Sequence, residues 1–500
     1  MDLHPQPPVD DRLARLPRLF VALAFSLALF GVACGAIASS DTWWHLATGR
    51  WIIQHHAVPH TDPFSFATAG KPWVAHEYLT DILMFFLHCA GGFIALGVAN
   101  ALLLTAAFAL VAHSARAPRW LAYASALFAA FAARPAFAVR PQSLSLVFGA
   151  AFLWIIRESL RRHQPRWLIA LPCLMLLWVQ LHAGYLLGIA LIGLLLFAES
   201  LDWLLKRSQS KPQDWLPLIY AGIACVAVVP LNPNGFSMLT FPFFVMRMKI
   251  NQTIQEWRPA NLHDPHLYPF IALAVLALLA MLFSRDKYRP GQFFIYAVLL
   301  AAALKSARNI SVFCLVAVLL LAEHLWLPAA SSFTAKFSVR FRTFASTLVL
   351  ILAAYFCAHA ASDGLAFQAL AEKNLFPKDA TSYIADHHLP PNLLNDYAYG
   401  GYLIWRLYPN YQIYVDGRAD LYGDPFLAEY VEIYNGQTDP RPFLDRNHIN
   451  TVVLAPTSKL TSLLRMMSVN GDWILAFEDS HATIFVRHSP LPLPRTGFYP

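Results

Sequence analysis

Apolar runs of membrane-spanning length, separated by short charged breaks, fill the first 360 or so residues and leave few folds open to this chain. The first run, 19–38, is close to the length that crosses a bilayer as a helix at 1.5 Å per residue. Ten further runs fall at about 92–112, 119–137, 142–157, 167–182, 184–203, 215–231, 267–283, 292–304, 309–327 and 344–361. The expected architecture is therefore mainly α, a polytopic membrane helix bundle of about eleven spans. The first run follows Arg12, Arg15 and Arg18 and ends in Ala36-Ile37-Ala38, a pattern shared with cleaved signal peptides. Its length and the spans that follow favour an uncleaved first helix. The apolar stretch 78–88 is too short to cross and reads as a half-inserted helix leading into the second span.

Charge divides the chain in two. Charged residues make up 13% of the sequence, about half the share usual in a soluble domain. From Asp363 onward, however, 15 acids and 10 Lys and Arg form an ordinary soluble mixture. The expected domains are a membrane part over 1–362 and a soluble part over 363–500. The net charge of +7 arises from cations in the interhelical loops, which argues against nucleic acid as a partner. With the N-terminus inside, 18 of the 27 cations before Asp363 fall on the inner side. An odd number of spans then puts the soluble part outside, beside the long first loop at 39–78. None of the six cysteines lies in the soluble part, and all six sit in apolar stretches.

The soluble part alternates helix and strand patterns, an α/β reading. Strands are expected at 392–396, 411–416, 451–456, 473–479 and 482–487, with helices near 378–388, 399–407, 424–435 and 458–467. It holds no GxGxxG, Walker or GxSxG motif. Asp416-Gly417-Arg418 follows a strand, where an α/β sheet often places binding groups, or where an Asp-Gly turn carries a buried ion pair.

Candidate chemistry gathers in the first loop, which begins Ser39-Ser40-Asp41-Thr42-Trp43-Trp44-His45 and runs through Asp62 to His76-Glu77-Tyr78. Ser40 is placed to cap a helix starting at Asp41. A carboxylate just beyond a membrane helix is positioned for general-base work, or simply complements a helix dipole. Trp43 and Trp44 suit either a sugar-stacking platform or an interfacial belt. The loop histidines could ligate a divalent cation, but no spacing singles out a ligand set, so no metal residues are assigned. Four outer cations flank span boundaries: Arg134, Arg140, Lys305 and Arg308. Ionisable groups at membrane depth are costly and face a cavity or partner, so four on one side point to an anionic ligand. His182, between two spans, is placed to line the same cavity or to sit satisfied in the bundle.

These residues carry a resemblance. The Asp41–Ile52 stretch, Asp-Pro-Phe-Ser at 62–65, Pro-Trp-Val-Ala-His-Glu-Tyr-Leu at 72–79, Arg140-Pro141-Gln142 and Leu177 through Gly184 resemble a group of bacterial membrane proteins. Asn395-Asp396-Tyr397 through Leu403 and Asp416 through Asp420 belong to the same set. A membrane helix followed by an outer loop that begins with an acid resembles the GT-C superfamily, which includes the protein O-mannosyltransferases and the lipid A aminoarabinose and galacturonic acid transferases. The resemblance implies transfer of a sugar from a polyprenyl-phosphate donor to a glycan, lipid or protein acceptor, with inversion, at the periplasmic face of a bacterial inner membrane. It implies Asp41 as base, with His76, Glu77, Asp62 and His182 binding the acceptor or orienting the base. Arg134, Arg140, Lys305 and Arg308 would hold the phosphate. The chain departs from the O-mannosyltransferases, which have an Asp-Glu pair where this chain has Asp41-Thr42. It also lacks the Asp-x-Asp of oligosaccharyltransferases, so a divalent cation stays open. A transporter or lipid flippase and a non-catalytic envelope assembly protein are the alternatives.

Overall fold

The computed structural model describes residues 11–34, 39–208, 211–284, 289–325 and 338–492. The Ala36-Ile37-Ala38 pattern and the inner cations Arg285, Lys287 and Lys336 lie outside these residues. Within them, α1 (Asp11–Ala33), α3 (Tyr78–Ser114), α4 (Arg119–Ala133), α5 (Gln142–Arg162), α6 (Ala170–Leu181), α7 (Leu186–Leu204), α8 (Pro212–Val228), α10 (Tyr268–Leu282), α11 (Pro290–Lys305), α12 (Ile310–His324) and α13 (Val339–Leu375) coincide with the eleven apolar runs. Among the described residues, eight segments are long and apolar enough to cross a membrane, and those at Pro165–Leu181 and Pro290–Lys305 are shorter apolar helices. The connecting helices α2 (Asp41–His55) and α9 (Ser237–Arg247) do not come from apolar runs of spanning length.

Two features mark the bundle as built for lipid. Helices α8 and α13 expose long apolar side chains, among them Ile223, Phe344, Ile351 and Tyr355, a surface that a soluble protein would have to cover. At the centre, small residues let backbones approach. Ala122, Ala126, Ala129, Ala130 and Ala133 of α4 are buried against α12, whose residues from Ile310 to Ala322 are almost all enclosed. Helix α1 packs along α13, with Gly31 against Phe356 and Cys357. The chain is a multi-pass membrane protein.

The short helical stretch that begins at Tyr78 does lead into a longer one. Helix α3 breaks at Gly91 and Gly92, where Gly92 has φ of 60°, a conformation that a Cβ disfavours. The last span behaves otherwise. Helix α13 continues through the boundary expected at 362/363 and ends only at Leu375.

Beyond it, β1 (Leu393–Asn395), β2 (Thr451–Leu454), β3 (Trp473–Glu478) and β4 (Thr483–Arg487) form a four-stranded sheet in the order β1-β2-β4-β3. β1 and β2 are parallel and the other pairs antiparallel. Helices at Lys378–Asp386, Gly400–Leu407, Asp424–Tyr434 and Lys459–Val469 match the expected ones. The expected strand at 411–416 is not one. Ile413 makes only single bridges, to Leu393 on one side and Ser65 on the other. The Asn395 side chain takes the ladder's place: its Oδ1 accepts from Tyr414 N–H at 3.0 Å and Val415 N–H at 3.3 Å, and its Nδ2 donates to Val415 O at 2.7 Å.

The Ser65 bridge shows how the parts join: the first loop lies at the edge of the tail's sheet. Helix α2 makes the same join with two adjacent tryptophans. Trp43 packs with Phe93, Phe376 and Tyr402 at ring separations of 4.6, 5.2 and 4.8 Å, in the core shared with the bundle. Trp44 belongs to the apolar core of the tail.

Candidate functional site

Helix α2 starts at Asp41. The hydroxyl that accepts from the Asp41 backbone N–H is Ser39 Oγ, at 3.3 Å, and Ser40 makes no side-chain cap. The Thr42 hydroxyl donates to Val139 O at 2.8 Å, which ties the start of α2 to the turn between α4 and α5. Arg140, one residue on, reaches the Asp41 Oδ2 with its Nη1 at 2.8 Å. Its Nη2 pairs with Glu256. Glu256 in turn lies 3.9 Å from Arg308 Nη1, and the Arg308 guanidinium stacks over Trp257 at 4.2 Å.

Long-range backbone bonds assemble this chain of alternating charges. Ala260 N–H donates to Leu304 O, Ala307 N–H to Arg258 O, and Ser306 Oγ to the Glu256 carbonyl. They clamp the 255–260 loop onto the α11–α12 turn. Burial works against charge on Arg140, and the carboxylates of Asp41 and Glu256 more than compensate, which fixes the guanidinium in its charged form. Asp41 keeps 25% of its side-chain surface open and Arg308 24%, so a ligand can reach both.

The tail roofs Asp41. A Cβ on Gly417 would fall 2.3 Å from Asp41 Oδ1, and one on Gly401 would fall 2.8 Å from Ser40 O. Only glycine admits approaches this close. Tyr397 of the tail stands among the carboxylates of Asp41, Asp416, Asp420 and Glu256. Burial and those charges push its phenol well above the ordinary range.

Glu77 forms a second cluster. His182 Nε2 lies 3.3 Å away, His76 Nε2 3.5 Å and His45 Nε2 3.6 Å. Burial pushes the Glu77 carboxyl up, but the imidazoles led by His76 outweigh it and hold it below the usual carboxylate range. His76, despite burial, is raised to about 9 by Glu77 and so carries its proton at neutral pH. Hydrogen bonds settle the tautomer of His182. Its Nδ1 accepts from Gly184 N–H at 2.9 Å and lies 2.6 Å from Ser145 Oγ, which itself accepts from Trp178 Nε1–H. The His182 proton therefore sits on Nε2, facing Glu77. On the far side His45 Nδ1 lies 2.6 Å from Asp81 Oδ1. His and Glu are the residue types that could hold a divalent cation. Here they pair with one another, and among the described residues no group of three or more is arranged to hold a metal ion.

Of the residues singled out in the sequence, the structure thus brings Asp41, Arg140 and Arg308 into one network, and His76, Glu77 and His182 into the adjacent one. It separates the others. Arg134 and Lys305 are exposed and make no ion pair among the described residues. Asp62 is buried and fully used: it accepts from Phe64 N–H, Ser65 N–H, Thr68 Oγ1 and Arg418 Nη1. Trp43 is 1% exposed with its ring covered on several sides, and Trp44 is buried with its ring tilted against His45 at 3.6 Å, so neither ring is open for stacking on a sugar. The Asp416-Gly417-Arg418 turn does carry a buried ion pair, with Arg418 Nη2 2.6 Å from Asp416 and Nη1 2.8 Å from Asp62. Glu256 was missed. It is an isolated acid in a short loop, and only the clamp to Leu304 and Ala307 gives it a partner.

No protein-family model matches the chain, and no curated protein matches it. A solved structure described as the crystal structure of ArnT from Cupriavidus metallidurans bound to undecaprenyl phosphate is similar over 94% of this chain and 97% of its own. The TM-score is 0.48 and the identity 14%.

Proposed function

We propose that the protein is a membrane glycosyltransferase that moves a sugar from a polyprenyl-phosphate donor to an acceptor at the outer face, with Asp41 as general base. The observation that carries this reading is the half-open Asp41–Arg140–Glu256–Arg308 network. Transfer from a phosphate-linked sugar needs a group that takes the acceptor's proton and cations that stabilise the departing phosphate. The network supplies both within one ion-paired chain, at the end of the bundle where the soluble tail sits.

The pairing suggests an order of events. A donor phosphodiester offers Arg140 and Arg308 an anionic partner with several acceptor oxygens, and its negative charge grows as the bond to the sugar breaks. As Arg140 turns to it, Asp41 loses its counter-ion and is left to accept the proton of the attacking hydroxyl. The new bond forms at the anomeric carbon as the bond to the phosphate oxygen breaks, with inversion. Glu77, held by its three imidazoles, positions His45, and with it the α2 turn that starts at Asp41. The tail covers the base and shapes the entrance for the acceptor.

Against a transporter, charged residues gather in two layers. The outer-end network is separated from an inner-end group around Arg157 and Glu323 by the alanine- and leucine-packed core of α3, α4, α5 and α12. The test is binding of a polyprenyl phosphate to the purified protein. Arg140→Gln should weaken it at least tenfold, whereas Arg134→Gln, an exposed cation outside the network, should not. Equal affinity in wild type and Arg140→Gln would remove the network from phosphate recognition.

A further inference from the structure

The end of the bundle opposite the tail holds a cavity of about 300 Å³ lined by His113, Arg116, Arg119, Trp154, Arg157, Glu158, Arg161 and Arg162. It lies where α3 ends, α4 begins and α5 ends. Five arginines line it, and three of them pair with two carboxylates. Glu158 pairs with Arg161 and Arg162, and Glu323 pairs with Arg157 and accepts the Arg116 backbone N–H. Among the described residues, the guanidinium groups of Arg116 and Arg119 have no carboxylate partner. That of Arg119 makes one hydrogen bond, to His113 O at 2.8 Å.

A positive-inside bias calls for cations at this end but not for a cavity into which they converge. Arg119 is also the first residue of α4, where the helix dipole disfavours a cation unless an anion stands nearby. Trp120 of α4 and Leu160 of α5, each next in sequence to a lining arginine, are exposed apolar side chains. The volume falls at the lower end of the range for ligand pockets.

We propose that this cavity binds the phosphate of an anionic phospholipid headgroup of the inner leaflet, held by Arg116 and Arg119 with support from Arg157, the acyl chains lying against Trp120 and Leu160. Basic pockets between helices at the cytoplasmic end suit such headgroups. The site is independent of any reaction at the other end of the bundle.

The test is native mass spectrometry of the full-length protein in detergent, titrated separately with phosphatidylglycerol, phosphatidylcholine and inorganic phosphate. Wild type should retain phosphatidylglycerol in preference to phosphatidylcholine. The double variant Arg116→Gln/Arg119→Gln should lose about thirtyfold in affinity for it, as expected for two cationic contacts. Arg116→Lys/Arg119→Lys, which keeps the charge, should retain most of the binding and shows that loss in the glutamine variant is not misfolding. Equal retention of both lipids, or equal phosphatidylglycerol binding in wild type and the glutamine variant, overturns the proposal. Arginine-dependent binding of inorganic phosphate without lipid retention also overturns it, in favour of a soluble phosphate ester. Loss of binding in the lysine and glutamine variants alike overturns it as well.

Discussion

Replacing Arg418 with methionine should loosen the tail from the first loop. The Arg418 guanidinium is 1% exposed and lies between Asp416 and Asp62, stacked over Trp73 at 4.6 Å. Methionine keeps much of the volume and the aromatic contact but leaves two buried carboxylates without a counter-ion. Asp62 retains three donors and Asp416 retains the Tyr422 hydroxyl and the backbone N–H of residue 418, so the loss is of charge compensation rather than of every hydrogen bond. Breaking a buried pair in this way costs about 3–5 kcal/mol. The natural reporters are the two amides that join loop and tail, Phe66 N–H to Ile413 O and Ile413 N–H to Phe64 O. If they exchange through separation of the two parts, 3–5 kcal/mol corresponds to exchange faster by roughly two hundred- to five thousand-fold. Hydrogen–deuterium exchange on the protein in detergent reads this directly. Asp62→Asn, which leaves Arg418 paired with Asp416, should accelerate the same amides far less. Acceleration below about fivefold in Arg418→Met would refute the view that this ion pair holds tail to loop.

Two other outcomes follow from the site. Gly417→Ala puts a methyl group where Asp41 Oδ1 now lies, so either the carboxylate or the tail loop must shift. Transfer should fall at least tenfold with little change in membrane insertion, and unchanged turnover would show that the tail does not bear on Asp41. The Glu77 cluster sets a pH dependence. His76 is raised from 6.5 to about 9, so its contribution to stability is full below pH 6.5 and is lost as pH rises through 9. Glu77 is held below 4.5, so its contribution is full above pH 4.5 and is lost only in stronger acid. The melting temperature of wild type should therefore drop between pH 7 and 9.5, while Glu77→Gln should start lower and show a flatter profile; parallel curves would contradict the pairing.

The legible parts of this molecule are those written in local pattern. Each apolar run became a helix because a backbone in lipid must satisfy its own hydrogen bonds, whatever its neighbours. Asp41 and Arg140 could be singled out because charge beside a membrane span is costly and needs a reason. What could not be read depends on residues far apart in sequence. Glu256 acquires its role through backbone bonds to Leu304 and Ala307. Residues 411–416 have strand composition, yet the Asn395 side chain takes the hydrogen bonds a neighbouring strand would have made. Trp43 and Trp44 look equivalent in sequence, but successive side chains of a helix point in different directions, and here they enter two different cores. The expected domain boundary at Asp363 marked where charge returns to normal density, whereas the helix it falls in runs on to Leu375 because nothing before Phe376 breaks it.

The central claim is that Asp41 takes the acceptor's proton. The direct measurement is transfer of label from radiolabelled polyprenyl-phosphate sugars in membranes containing wild type or Asp41→Asn, with donor binding measured on the same samples. The account predicts label transfer by wild type, no detectable transfer by Asp41→Asn, and donor binding by the variant at least as tight as wild type, because Arg140 then has only Glu256 as a competing carboxylate. Near-normal turnover by Asp41→Asn would contradict it.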